Sequence, residues 1–186
     1  RGLGDVYKRQ VYNRAVEKGL TSQRFPFKHV YTGVEKTVKR AVPLKVIKRI
    51  KEMDFSMNPS FDFARDMFLM SFYTRGMSFV DMAYLRKKDL QNGVLSYRRR
   101  KTGQQLFIKW EKCMQEIVDK YDTSQSNYLL PIIKPFGDID ERTQYIYAAH
   151  NINRCLKIIG KELGLSVSLT LYAVSYTHLT LPTICS

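Results

Sequence analysis

One segment of this 186-residue chain predicts a helix that is apolar on nearly every side. Residues 61–73 read FDFARDMFLMSFY, so aromatic, methionine and leucine side chains fall on all faces of a 3.6-residue period. Such a helix cannot bury a single stripe and leave the rest in water. We therefore expect it at the centre of a domain, with the remaining elements packed around it.

The segments on either side are mostly helical in pattern. Residues 11–20 predict a helix that begins at Val11 and that Gly19 is placed to end. Pro43 is placed to open a helix, residues 111–121 predict another, and residues 140–161 form the longest run with helical spacing. The apolar run 128–133 fits a strand or a buried loop. These patterns predict a fold that is mainly α.

Two alternating segments interrupt the helices. Residues 94–100 and 105–110 predict the strands of a hairpin around the tip sequence Lys101-Thr102-Gly103-Gln104. The predicted fold class is therefore mainly α with a small β-hairpin or sheet insertion.

The chain is strongly basic. Lys and Arg number 31 against 17 Asp and Glu, which gives a net charge of +14. An excess of this size favours a polyanionic partner. No stretch of 18 apolar residues suggests a membrane span, and we expect no membrane partner and no small-molecule substrate.

Two motifs stand close together in the sequence. Residues 74–85 read TRGMSFVDMAYL, a turn leading into an amphipathic helix, and residues 98–103 read RRRKTG at the hairpin tip. Together they resemble the front half of the catalytic domain of the tyrosine recombinases, the family of phage and mobile-element integrases. In that family a Gly-Leu-Arg-x-x-Glu turn and helix precede a hairpin with a catalytic Lys. The resemblance spans residues 11–173.

The resemblance implies a reaction on DNA without metal or cofactor. A Tyr nucleophile forms a phosphotyrosyl link, two Arg stabilise charge on the phosphate oxygens, and the hairpin Lys protonates the departing 5′ oxygen. Lys101 occupies the position of that Lys. The alternative is an ordinary solvated lysine at a hairpin tip.

The first Arg of the family pattern is missing, because Ser78 stands in its place and Asp81 at the acidic position. Ser supplies neither the charge nor the paired donors of Arg. We favour Arg99 as the substitute, since side chains two apart in a strand share a face and Arg99 would then point with Lys101. Arg75 is the second choice. Both could instead contact the phosphate backbone without catalysis.

The later motifs are incomplete. In the run Leu169 to Ala173, Tyr172 stands at the position of the family's His, and Ser175 stands where the second Arg belongs. The nucleophilic Tyr would lie further downstream. We therefore predict that this polypeptide does not cleave DNA by itself.

The ends of the chain look foreign to the rest. Residues 1–10 and 174–186 resemble translated adapter sequence, and we expect a non-native leader and tail, with ordinary termini as the alternative. Between them we expect the end of a core-binding domain at 11–25, a basic linker at 26–42 and part of the catalytic domain at 43–173.

Double-stranded DNA is the expected partner, bound by several copies of the intact protein, in the bacterial cytoplasm at the nucleoid. The family closes around DNA as a clamp, and the residues expected to line it are Lys36, Lys39, Arg40, Lys45, Arg49, Lys87, Lys88, Arg98 and Arg100. The rival interpretations are a non-catalytic DNA-binding module and a basic RNA-binding protein. A metal-dependent nuclease using Asp62 and Asp66 is disfavoured, because no His or Cys completes a ligand set.

Overall fold

The structure is a computed structural model that describes residues 3–27, 42–134 and 138–174. The chain divides into two compact units, Arg1–Val38 and Lys39–Ser186. The linker residues Lys36, Lys39 and Arg40 lie outside the described residues.

The first unit is built on one helix, α1, at Leu3–Glu17. The helix begins at Leu3 rather than at the predicted Val11, so it includes most of the segment expected to be a foreign leader. Gly19 closes it in the left-handed conformation, with φ of 68°. The amide of Gly19 donates to Val16 at 2.9 Å, and the amide of Leu20 donates to Ala15 at 2.9 Å. These two bonds form a Schellman cap, and they confirm Gly19 as the predicted helix end.

The second unit contains five further α-helices, three strands and two 3-10 turns among its described residues. The helices are α2 Leu44–Glu52, α3 Pro59–Tyr73, α4 Phe79–Ala83, α5 Lys112–Asp119 and α6 Glu141–Glu162. The strands are β1 Leu90–Gln91, β2 Val94–Arg98 and β3 Gln105–Lys109, and the 3-10 turns are Lys87–Asp89 and Leu171–Val174. The strands form one antiparallel sheet in the order β1-β2-β3. The predicted fold class, mainly α with a small sheet, is confirmed.

Helix α3 is the centre of the second unit, as its sequence predicts. Met67, Phe68 and Met70 are fully buried, and α3 contacts α2, α5 and α6. Each such side chain stabilises the fold by about 1.5–3 kcal/mol relative to an exposed one. Helix α6 contributes the facing layer, in which Gly160 lets Leu169 approach so closely that a Cβ at Gly160 would lie 2.9 Å from the Cβ of Leu169.

A buried ionic cluster fastens α3 to the end of α5. The Asp66 carboxylate accepts hydrogen bonds from Arg65 at 2.9 Å, from Lys120 at 2.8 Å and from the Tyr121 hydroxyl at 2.8 Å. Lys120 also pairs with Asp62. The two carboxylates weighed as metal ligands in the sequence are thus occupied by cationic and hydroxyl donors.

The apolar run 128–133 is a buried loop and not a strand. Leu130 and Ile133 are fully buried, and the Leu129 amide donates to the Leu85 carbonyl at 2.8 Å. Within the described ranges, the only β pairing of this loop is an isolated bridge between Arg86 and Tyr128. The loop therefore fills the core beside α4.

The two faces of the hairpin differ. Leu95, Tyr97 and Ile108 are buried on the inner face, whereas Val94 and Phe107 are exposed on the outer face. Strand β2 ends at Arg98, two residues earlier than predicted. Arg99 and Lys101 consequently do not lie in one strand, and the side-chain alternation used to align them does not extend to Lys101.

None of the helices in the described ranges has the length and apolarity needed to cross a membrane.

Candidate functional site

The turn before α4 is a second Schellman cap. The amide of Arg75 donates to Phe72 at 3.0 Å and the amide of Gly76 donates to Ser71 at 2.8 Å. Arg75 occupies the left-handed position that Gly19 holds at the end of α1, with φ of 58°. Its side chain is exposed. The turn fixes the backbone of Arg75 and leaves its guanidinium in solvent.

Ser78 acts as the N-cap of α4. Its hydroxyl accepts from the Asp81 amide at 3.3 Å and donates to the Asp81 carboxylate at 2.6 Å. The hydroxyl proton and one of the two lone pairs on its oxygen are therefore used locally. A phosphate could receive the hydroxyl proton only if the bond to Asp81 were broken.

Asp81 connects this turn to the hairpin tip. Its side chain is buried, with 5% of the residue exposed, and its second carboxylate oxygen accepts from the Arg100 amide at 3.0 Å. One carboxylate thus bonds Ser78 and Arg100 at the same time. The two motifs that the sequence separates by about twenty residues lie side by side because of this contact.

The hairpin tip is a tight loop closed by two backbone bonds. The Arg99 amide donates to Gln104 at 2.8 Å and the Gly103 amide donates to Arg99 at 2.8 Å. Gly103 is left-handed, with φ of 69°, which explains the Gly at this position of the tip. Lys101 is exposed on the loop, and no described residue forms an ion pair or hydrogen bond with its ammonium.

Arg99 stands between two exposed arginines at the tip. It is half-buried, and its charge acts on the Tyr97 hydroxyl, as does the charge of Asp81. Burial and then Asp81 raise the pKa of Tyr97, and Arg99 opposes them. Arg99, Tyr97 and Asp81 therefore form one electrostatic neighbourhood next to Ser78.

Arg100 is exposed, and its guanidinium packs over the half-buried Tyr84. Its guanidinium carbon lies 3.7 Å from the centre of the Tyr84 ring, a cation–π contact, and Tyr84 meets Tyr128 edge to face at 6.1 Å. The Tyr128 hydroxyl donates to Glu141 at 2.6 Å. Burial, followed by this bond to Glu141, raises the pKa of Tyr128 to about 12. The chain of contacts joins the hairpin tip to the first turn of α6.

The fold is similar to that of several solved structures. A lambda integrase dimer bound to a COC' core site superposes with a TM-score of 0.58 at 14% identity, over 91% of this chain and 47% of that chain. Lambda integrase residues 75–356 bound to DNA superposes with a TM-score of 0.57 at 15% identity, over 91% of this chain and 59% of that chain. A lambda integrase tetramer bound to a Holliday junction superposes with a TM-score of 0.56 at 15% identity, over 91% of this chain and 49% of that chain. This is the tyrosine recombinase fold. The chain spans about half the length of these integrase chains. No family model matches its sequence, and neither does any curated protein.

On this tyrosine recombinase fold, the predicted DNA contacts fall on several elements. Lys45 and Arg49 are exposed on α2, and Lys88 and Arg98 are exposed around the sheet. Lys87 is exposed, but its ammonium already donates a hydrogen bond to the Thr123 carbonyl at 2.6 Å.

Tyr172 lies in the last described turn and is 73% exposed. Its neighbours Leu171 and Ala173 are buried, and the Leu171 amide donates to the Asn153 side chain at 3.0 Å. No hydrogen bond or ring contact joins Tyr172 to the hairpin tip in the residues that the structure describes. The bonds of Asp81 bring Ser78 and the hairpin tip with Arg99 and Lys101 into one region, and Tyr172 takes no part in these bonds.

Sequence reasoning missed a basic stripe on α6. His150, Arg154 and Lys157 are exposed on one face and border a cleft of about 690 Å³. The Thr170 hydroxyl oxygen at this cleft is buried without a hydrogen-bond partner. The i, i+4, i+7 spacing of these basic residues on the polar side of a recognised helix could have revealed the stripe.

Among the described residues, no group of three or more His, Cys, Asp or Glu is placed to hold a metal ion.

Proposed function

We propose that this chain is the DNA-binding part of a site-specific DNA recombinase, whose whole protein cuts and rejoins DNA through a phosphotyrosine intermediate. The observation that carries the proposal is the Asp81 carboxylate, which holds the Arg100 amide and the Ser78 hydroxyl together. This contact holds a cationic hairpin tip beside the turn and helix that resemble the family's first Arg motif.

Within this site, Lys101 is the proposed general acid and Arg99 the proposed charge donor. Lys101 is exposed and has no partner among the described residues, so its ammonium is available to a departing oxygen. Arg99 is preferred over Arg75 because it is half-buried next to Tyr97 and Asp81, whereas Arg75 is exposed at a helix end. A partly buried guanidinium acts on a phosphate more strongly than a solvated one.

The chain alone is proposed to be inert toward DNA cleavage. Ser78 is neutral and its hydroxyl is engaged with Asp81, so it does not replace the first Arg. Ser175, outside the described residues, stands at the position of the second Arg. Tyr176 falls too early in the motif order to be the nucleophile.

Binding and cleavage are tested separately. Fluorescence anisotropy with a duplex of random sequence should show binding that weakens steeply with salt, as phosphate contacts release counterions. An RNA duplex of equal length should compete poorly, and preferential RNA binding would overturn the proposal. A nicked suicide duplex should give no covalent protein–DNA adduct on a denaturing gel.

In the whole protein we expect several copies to assemble on double-stranded DNA, at the nucleoid of a bacterial cell. The integrases that share the fold are described as dimers and a tetramer bound to DNA.

A further inference from the structure

The outer face of the hairpin forms one wall of a second cleft. The cleft measures about 750 Å³ and lies between β2 and β3 on one side and the segment from α4 to β1 on the other. The residues of the cleft that carry the argument are Lys88, Asp89, Ser96, Arg98, Gln105 and Phe107.

Phe107 is an aromatic ring without a core role. It is 68% exposed, while its strand neighbour Ile108 is buried on the inner face. Val94, on the same outer face, is also exposed. Within the described ranges, no other ring stacks on Phe107 and no cation lies over it. The hairpin therefore presents a flat apolar surface to the cleft.

The net charge of the cleft is positive. Its lining contains the cations Lys88, Arg98 and Arg100 and the carboxylates Asp81 and Asp89, so cations outnumber carboxylates by three to two. Lys88 and Arg98 are exposed and form no ion pair with any described residue. Each of the two carboxylates accepts a backbone amide. The two unpaired cations can therefore receive an anion.

Polar side chains flank the ring. Arg98 pairs with Gln105 and Ser96 pairs with Phe107 across the two strands. The Gln105 amide group donates to the Ser96 hydroxyl at 2.8 Å, which holds Gln105 beside Phe107 and leaves its side-chain carbonyl able to accept. A flat ring can stack on a nucleotide base, an amide can hydrogen-bond to the edge of the base, and unpaired cations can bind the phosphate. All three kinds of group line this one cleft.

We propose that this cleft binds an unpaired nucleotide of the bound DNA, with the base stacked on Phe107 and its phosphate against Arg98 and Lys88. Aromatic stacking accepts any base because every base has a π face. The proposal rests on the proposed function, since it needs DNA to be present, but it concerns a surface outside the predicted catalytic residues.

The experiment compares two duplexes of equal length, one fully paired and one with a single bulged 2-aminopurine. The wild-type chain should bind the bulged duplex about tenfold more tightly and quench the 2-aminopurine fluorescence. Phe107→Ala should abolish both the preference and the quenching while keeping its affinity for paired DNA, and Phe107→Trp should restore them. Phe25→Ala is the matched control, because Phe25 is 65% exposed in the other unit, and it should behave as wild type.

Two results would overturn the proposal: equal affinity of the wild-type chain for both duplexes, or a bulge preference that survives Phe107→Ala. Failure of the proposed function looks different, because the wild-type chain would then bind neither duplex.

Discussion

At the scale of single residues, Arg75 shows how a side chain of interest can lie on an unfavourable backbone. The caps that end α1 and α6 place Gly19 and Gly164 in the left-handed conformation, both with φ of 68°. The cap that ends α3 places Arg75 there instead. An L-residue with a Cβ pays about 1 kcal/mol for this conformation relative to glycine. An arginine kept at such a position is a reason to test it for a function.

Arg75→Gly should raise the free energy of unfolding by about 0.5–1 kcal/mol, because the left-handed strain is relieved while the cap is retained. Urea denaturation measures this change. If Arg75 contacts a phosphate, the same variant should lower the slope of log K against log salt by about 0.9.

Gly164→Ala is the control for the strain. A Cβ at Gly164 meets nothing within 4 Å, so only its φ opposes the substitution and stability should fall by about 1 kcal/mol. If Gly164→Ala left the free energy of unfolding unchanged, this type of cap would tolerate a Cβ in the left-handed conformation. The backbone of Arg75 would then not be strained.

A second residue-scale prediction concerns alkaline stability. Burial, and then the charges of Glu116 and Asp66, raise the pKa of Tyr73 to about 12. The folded state therefore holds this proton more tightly than the unfolded state, whose tyrosines titrate near 10. The contribution of this proton to the free energy of unfolding is fully present below pH 10. It is lost as pH rises from about 10 to 12, by up to about 1.4 kcal/mol per pH unit.

Tyr73→Phe cannot ionise, so its free energy of unfolding should fall less steeply between pH 10 and 12 than that of the wild type. Chemical denaturation at fixed pH values measures both slopes. Parallel slopes for the two proteins would show that Tyr73 titrates normally.

At the scale of elements, the hairpin is held to α4 by the bonds of Asp81. Asp81→Ala leaves the Arg100 amide and the Ser78 hydroxyl without this acceptor, which should destabilise the protein by about 1–3 kcal/mol. Amide hydrogen exchange at Arg100 should accelerate, because the tip is released from its anchor. Asp81→Asn, which keeps an acceptor oxygen, should have a smaller effect.

Asp89→Ala is the matched control for Asp81. Asp89 also accepts a backbone amide, that of Arg86, but it does not contact the hairpin tip. Its loss should leave exchange at Arg100 unchanged. If exchange at the Arg100 amide accelerated equally in both variants, the cause would be a lower global stability and not the loss of the Asp81 contact.

Elements with a strong local signal could be predicted from the sequence. Helix α3 follows from apolar residues on every face, α6 from its long periodicity, and the end of α1 from Gly19. The tip was predictable too, because Gly103 and the alternation on either side fix where the chain must turn.

The geometry within the site could not be predicted, because it depends on contacts between distant residues. Strand alternation ends where the ladder ends, and Arg98 is the last strand residue before the tip. The contact of Arg100 with Tyr84 and that of Asp81 with the Arg100 amide depend on how the hairpin folds back over α4. No local pattern in the sequence specifies that direction.

At the scale of the whole molecule, the question is where the side chains behind the net charge of +14 lie. Among the described residues of the second unit, exposed cations occur on α2, on the 3-10 turn before β1, on the hairpin and on α6. Such a distribution suits a long duplex better than a compact anion, because each phosphate contact adds one more released counterion. We expect the α6 stripe to extend the proposed DNA surface beyond the predicted hairpin site.

The α6 stripe gives the last prediction. Arg154 and Lys157 are exposed and have no ion pair with a described residue, so replacing both by Ala should leave the free energy of unfolding within about 0.5 kcal/mol. If both contact phosphates, the slope of log K against log salt should fall by about 1.8 for every duplex sequence, since phosphate contacts do not read bases. Lys112→Ala is the control, because Lys112 is equally exposed on α5 but paired with Glu116 at 3.8 Å. An unchanged salt slope in the double variant would confine the DNA surface to the hairpin side, whereas a loss restricted to particular sequences would mean that α6 reads base edges.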